Sequence, residues 1–268
     1  VSFAHSPPQG KVAATILSNW GPNAYSDRHA NRGRNDATAY TQSVVAATVA
    51  IHELGGTYRH LSIDGADVVI ARNILTHSFL SEESCGYILF IDSDMAVDLS
   101  VFRHLLKLKT PFVGAAYSER CLNLQTFAEA MAETPDEPRA RALAPNFTVR
   151  MKPGEKKIRS GVCAVDALGF GCILIHRSVF TSLIERGIVG PFVSSKVRDL
   201  GLEGQVYDFF DEIPLENGDW LSEDYSFCQR VRELGDVEIL AYVGAGVGHV
   251  GPFTFSGPYI EKLKAGKL

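Results

Sequence analysis

Apolar residues along this chain fall into two patterns. Some form short continuous runs of strand length, and others recur every three or four positions as on one face of a helix. Residues 11–18, 57–63, 87–91 and 112–116 are runs of the first kind. Between the second and third, Ala71, Ile74, Leu75, Ser78 and Phe79 follow a helical stripe behind Asp67, a good N-cap. After the third, Asp98 precedes the same pattern in Leu99, Phe102, Leu105 and Leu106. Asp36 is the expected cap of a helix reaching about Leu54, where Gly55 and Gly56 end it. Strand and helix therefore alternate through the first 116 residues. That alternation predicts an α/β fold with a mainly parallel central sheet and helices on both faces. Tyr87–Ile91 is apolar on both faces and suits its centre.

The rhythm then breaks. Residues 121–160 contain Pro135, Pro138, Pro145 and Pro153 and predict an irregular insertion, a candidate lid. Order resumes with an apolar stretch over 162–175 that holds Gly169 and Gly171, and with a helix over about 178–186. Residues 187–221 are polar and loop-like. Ser222 then caps a helix with Phe227, Val231 and Leu234 on one face and Gly235 as its stop. A strand over 237–243 leads into a glycine-rich segment, 244–251. With no internal repeat, residues 1–268 are expected to form a single domain carrying the insertion.

Composition narrows the function. The chain has 268 residues, 46% hydrophobic and 21% charged, enough for one sizeable core. A net charge of -5 argues against nucleic acid as a partner, because that affinity rests on basic side chains neutralising phosphates. Five scattered cysteines (Cys85, Cys121, Cys163, Cys172 and Cys228) suggest neither a disulfide framework nor a zinc site, and point to a reducing, cytoplasmic setting. No apolar stretch reaches bilayer length and no signal pattern stands at the N-terminus, which leaves peripheral membrane contact open.

Candidate chemistry starts where the central strand ends. Asp92 and Asp94 are spaced so that an extended backbone would aim both carboxylates at one point, a donor set suited to Mg2+ or Mn2+. Glu223 and Asp224 open a helix, where acids also complement the positive helix end. His249 sits in a glycine-flanked turn after a strand and is a candidate distant metal ligand. Gly246, Gly248 and Gly251 spell a dinucleotide fingerprint, but Pro252 follows where a helix is required. No phosphate-binding Gly-x4-Gly-Lys loop exists, so a phosphate ligand needs a cation and arginines such as Arg72. Two rivals are a haloacid-dehalogenase-like phosphatase using Asp92 and Asp94 and a non-catalytic nucleotide-sugar-binding protein. The phosphatase spelling fits Gly218-Asp219 and Asp224. However, Ala96 replaces the expected Thr or Val, and no buried strand leads into Gly218.

Five segments taken together resemble nucleotide-sugar-dependent glycosyltransferases of the GT-A fold. They are Ala71-Arg72-Asn73, Ile88 to Met95 with its Asp92-Ser93-Asp94, Ala167 to Ile175 around Gly169 and Gly171, Ser222 to Cys228, and Gly248 to Gly251. The likeness is to bacterial and phage-type members, and more distantly to Anp1-type mannosyltransferases. It implies a metal-dependent transfer of a hexose from a nucleoside-diphosphate sugar to a hydroxyl of a saccharide or glycolipid. By that resemblance Asp92, Asp94 and His249 would serve Mn2+ or Mg2+. Asp64, Arg72, Asn73, Asp92 and Ser93 would lie by the nucleotide, and Gly169 and Gly171 by the donor sugar. Trp220 and Glu223 would be near the acceptor, and Asp224 would be the base of an inverting reaction.

Overall fold

The computed structural model describes residues 13–20, 32–64, 66–133, 136–154, 157–251 and 254–266, with side chains from residue 38 onward, Asp64 apart. In chain order the elements begin β1 (Ala13–Trp20), α1 (Arg32–Glu53), β2 (Thr57–Asp64), α2 (Val68–Leu80), β3 (Tyr87–Ile91), β4 (Met95–Val97), α3 (Leu99–Leu108) and β5 (Phe112–Ala115). Next come α4 (Leu124–Glu133), α5 (Glu137–Leu143), β6 (Val149–Met151), β7 (Val162–Leu168), β8 (Cys172–His176), α6 (Arg177–Glu185) and α7 (Ser195–Asp199). The chain closes with β9 (Ile213–Pro214), β10 (Trp220–Leu221), α8 (Glu223–Leu234), β11 (Leu240–Tyr242), β12 (Val247–Val250), β13 (Thr254–Ser256) and α9 (Tyr259–Ala265).

The α/β class is as expected. Eight strands form the main sheet in the order β2-β1-β3-β8-β5-β11-β7-β6. The expected parallel character holds for β1 with β2 and β3, and for β5 with β11. Elsewhere it gives way to a mixed sheet. β8 runs antiparallel between β3 and β5, and β7 is antiparallel to both β11 and β6. The reason is topological: the chain reverses between β6 and β7, which pair antiparallel, and the three residues from β7 to β8 carry the same direction on, so both strands run against β5 and β11.

β3 is covered on both sides. Ile88 and Phe90 enter one core with α2, α6, α8 and α9, while Tyr87, Leu89 and Ile91 enter the other with α1 and α3. The first core is rich in phenylalanine, and the rings of Phe210 and Phe227 stack 4.8 Å apart. Leu75 and Phe79 of α2 are buried there, and the helix is capped as expected by Asp67, which accepts from the Val69 amide at 2.9 Å.

Three expectations are corrected. Helix α1 begins at Arg32, so Asp36 lies inside it and not at its cap; no proline bars the helix from the preceding turn. Residues 121–160 are not irregular. They carry α4, α5 and edge strand β6, because Pro138 stands in the first turn of α5, where its missing N–H is not needed. Residues 187–221 hold α7, β9 and β10, and Val206, Phe209 and Phe210 anchor the segment in the core. None of the five cysteines is in a disulfide, and four of them are buried. Among the described residues no helix is long and apolar enough to cross a membrane.

Candidate functional site

The candidate residues gather at the carboxyl end of β3. The chain does not stay extended there. Residues 92–94 turn, with the Met95 amide donating to the Asp92 carbonyl at 3.1 Å, and the two carboxylates take different partners. Asp94 is carried toward the small sheet β13-β12-β4, where His249 is opposite Met95 in antiparallel register. The Val250 amide donates to the Asp94 carbonyl at 2.8 Å, and His249 Nε2 lies 3.2 Å from Asp94 Oδ2.

The other imidazole nitrogen fixes the chemistry of that contact. His249 Nδ1 lies 2.9 Å from the Ser118 carbonyl, and a carbonyl only accepts. Nδ1 therefore carries the proton, and in the neutral ring Nε2 turns a bare lone pair toward a carboxylate. Two acceptors face each other and need a cation, or a second proton, between them. A metal-binding histidine commonly donates its other N–H to a backbone carbonyl in this way. Arg120 approaches from the solvent side, its Nη1 3.0 Å from Asp94 Oδ2. Burial pushes the Asp94 carboxyl up, but the neighbouring His249 imidazole and the Arg120 guanidinium outweigh it and hold the group below its ordinary value.

Asp92 turns instead to Arg72 of α2. The guanidinium places Nη2 3.3 Å from Asp92 Oδ1 and Nη1 2.7 Å from Glu223 Oε1, with its carbon 5.2 Å from the centre of the Phe170 ring. Burial works against the Arg72 charge, and the carboxylates of Asp92, Glu223 and Asp224 overcome it, raising its pKa. For Asp92 the balance is reversed: burial pushes it up, Arg72 only partly opposes this, and the Asp94 charge adds to the rise. Solvent still reaches 38% of the Asp92 side chain. Burial likewise raises Glu223 against the pull of Arg72.

Asp224 occupies the first turn of α8. Its Oδ1 accepts from the Ser222 hydroxyl and from the Tyr225 amide at 2.8 Å; among the described residues Oδ2 takes no hydrogen bond. Trp220, on β10, is 62% exposed. Ser93 is half-buried in the turn between the two acids. Asp64 closes β2, but its side chain lies outside the described residues.

Three other predicted residues are used within the protein. Asn73 is fully buried and pins the 206–211 segment, donating to Asp208 Oδ1 and accepting from the Phe209 amide, each at 2.9 Å. Both atoms of its amide are thus taken up inside the protein. The bare sides of Gly169 and Gly171 face Tyr117; a Cβ at Gly171 would come within 2.8 Å of that ring and of Met95 Sδ. The Tyr117 hydroxyl in turn accepts from the Gly171 amide at 3.3 Å, and the ring meets His249 edge-on with centroids 5.3 Å apart. Burial, followed by the charges of Asp92 and Asp224, pushes the Tyr117 phenol far up, so it stays neutral.

The residues present suit a divalent cation as a half-shell. Among the described residues no group of three or more His, Cys, Asp or Glu side chains is placed to hold a metal ion. Hard cations are nevertheless often held by one or two protein groups plus substrate phosphates, and Asp94 with His249 meets that pattern. Tyr117, Ser118 and Arg120 escaped the sequence reading. Their signal was position, since they follow β5 at the same sheet end that Asp92 and Asp94 occupy after β3.

No protein-family model matches this sequence, and no curated protein does. Solved structures similar to the chain include glycosyltransferases and nucleotide-sugar pyrophosphorylases. A197 from STIV shares 15% identity over 90% of this chain and 86% of its own, with a TM-score of 0.44. Drosophila beta1,4galactosyltransferase 7, in complex with xylobiose, shares 12% over 93% and 71%, at 0.39. A UDP-glucose pyrophosphorylase complexed with UDP-glucose shares 8% over 86% and 90%, at 0.40.

Proposed function

We propose that this chain is a GT-A-type glycosyltransferase. It uses Mn2+ or Mg2+ to move a hexose from a nucleoside-diphosphate sugar to a hydroxyl of a saccharide or glycolipid, with inversion. The observation that carries the reading is the committed tautomer of His249, whose Nε2 lone pair converges with Asp94 Oδ2 at the carboxyl end of the sheet.

A cation bound there stabilises the negative charge that grows on the leaving diphosphate. Asp94 and His249 would hold it. Arg72 fixes Asp92 against Glu223 and sets the floor on which the nucleotide lies, with Asp64 and Ser93 at its rim. Asp224 Oδ2 receives the acceptor's proton as the hydroxyl oxygen bonds the anomeric carbon and the bond from that carbon to the diphosphate breaks. Its Oδ1 is occupied by Ser222 and Tyr225, which orients the free oxygen. Trp220 offers an exposed aromatic face to an acceptor sugar. The Arg150 guanidinium of β6 is 5.1 Å from the Tyr225 ring centre, which supports a place for the 121–160 segment beside the acceptor.

The phosphatase reading lacks comparable support. Asp219, its second acid, is in an exposed turn and bonds Asn217 at 2.8 Å.

Thermal-shift measurements with UDP-, GDP- and dTDP-sugars, with and without Mn2+, test the proposal. A ligand at 100 times its dissociation constant adds about 2.7 kcal/mol of stability. One nucleotide sugar is expected to give a Mn2+-dependent shift that Asp94→Ala and His249→Ala abolish without lowering the unliganded melting temperature much. A shift that survives both substitutions would refute the metal site. Hydrolysis of a phosphomonoester with no nucleotide shift would replace the function.

A further inference from the structure

The geometry points to Arg120 as an exchangeable counter-ion: it neutralises Asp94 when no metal is bound, and turns onto the donor's diphosphate when a divalent cation takes its place. This rests on the glycosyltransferase reading and assigns a further residue to that site.

Two side-chain nitrogens approach the same oxygen of Asp94, His249 Nε2 at 3.2 Å and Arg120 Nη1 at 3.0 Å. His249, with 15% of its side chain exposed, comes from within the fold, while Arg120, at 51%, comes from solvent. Asp94, at 21%, lies between them. Among the described residues Asp94 is the single ion-pair partner of Arg120. A pair this exposed is weak, so little holds the guanidinium in place. Its stem lies across Gly251, where a Cβ would sit 3.3 Å from Arg120 Cδ and 3.7 Å from Cγ. A bare glycine there leaves the stem a smooth track.

A divalent cation shared by Asp94 and His249 would repel a guanidinium held on the same carboxylate oxygen. Arg120 must then leave, and the nearest compensating negative charge is the diphosphate that the cation brings. A planar guanidinium with five donors matches phosphate oxygens better than the lone oxygen it gives up. Its backbone is well placed for the exchange. Residues 117–120 already form one side of the site, through the Tyr117 hydroxyl, the Ser118 carbonyl under His249, and the Glu119 amide, which donates to the Asn146 carbonyl at 2.8 Å.

The signature is a pair of opposite effects. Titration of the free protein with Mn2+ alone, followed by the electron-spin signal of unbound Mn2+, is expected to show Arg120→Gln binding the metal roughly 2- to 5-fold more tightly, since a competing exposed ion pair is gone. Calorimetric titration with UDP and with GDP at saturating Mn2+ is expected to show the same variant binding nucleotide about 10- to 100-fold more weakly, through loss of charged hydrogen bonds. Arg120→Lys should fall between in both. Thermal melts of the unliganded variants should match the parent, because the side chain is half exposed. Unchanged or weaker Mn2+ binding in Arg120→Gln, or unchanged nucleotide affinity, overturns the proposal while leaving the glycosyltransferase reading standing. A parent protein that binds neither Mn2+ nor either nucleotide overturns both.

Discussion

Arg72 Nη1 lies 2.7 Å from Glu223 Oε1, and this contact joins α2 to the first turn of α8 across 151 residues of chain. The two side chains are 7% and 17% exposed, and the same guanidinium reaches Asp92. Arg72→Met would strand two inward-facing carboxylates without a counter-charge. The expected loss is about 3–5 kcal/mol of unfolding free energy, read from urea melts. Glu223→Gln, which keeps an acceptor for Arg72, should cost clearly less. A loss below about 1 kcal/mol for Arg72→Met would mean that water already screens the cluster.

Asp224→Asn keeps the shape of the side chain and its bonds to Ser222 and Tyr225 but removes the proton acceptor. Turnover should fall by roughly 10² to 10⁴ with donor affinity little changed. The product should carry the anomeric configuration opposite to the donor's. Retention of configuration, determined by proton coupling constants in NMR, would remove Asp224 from the role of base.

Gly171→Ala tests the packing behind the site. The added methyl meets Met95 Sδ and the Tyr117 ring at 2.8 Å, and Tyr117 in turn packs on His249. Overpacking of this kind costs typically 1–3 kcal/mol. Because Tyr117 must shift against His249, metal affinity should fall as well. A variant as stable as the parent, with the same Mn2+ affinity, would show that the ring yields freely.

His176 gives a pH dependence separate from the candidate site. It caps α6, with Nδ1 accepting from the Ser178 amide at 3.2 Å, and this requires a lone pair on that nitrogen. Burial, then the neighbouring Arg177 charge, holds its pKa below the ordinary value of 6.5. The unfolded chain therefore takes up the proton first as pH falls. The cap's contribution is fully present above about pH 6.5 and is lost as pH drops through the window below it. His176→Asn keeps a capping group that does not titrate. The fall in urea stability between pH 7.5 and 5.5 should become shallower in the variant; equal slopes would assign the effect to other groups such as His60, which burial also depresses.

Much of this architecture is local and could be read from the chain. The apolar run of β3, the cap at Asp67, the start of α8 behind Ser222, and the stop at Gly235 each depend on residues a few positions apart, where side-chain period and backbone preference act directly. The same is true of acids placed at a strand's end. What the sequence could not settle was direction and reach. Nothing in the apolar stretch over 162–175 says that β8 enters the sheet antiparallel between β3 and β5, because strand pairing is decided by partners distant in sequence. Asp92 and Asp94, adjacent on paper, are separated by a turn that only the pairing of β4 with β12 imposes, and that pairing brings His249 to Asp94 across 155 residues. Asn73 looked like a site residue and became a buried clamp, because α2 is enclosed on nearly every side and its polar atoms must find partners inside. Arg120 gave no signal at all: a surface arginine becomes a site residue only when folding sets a carboxylate beside it.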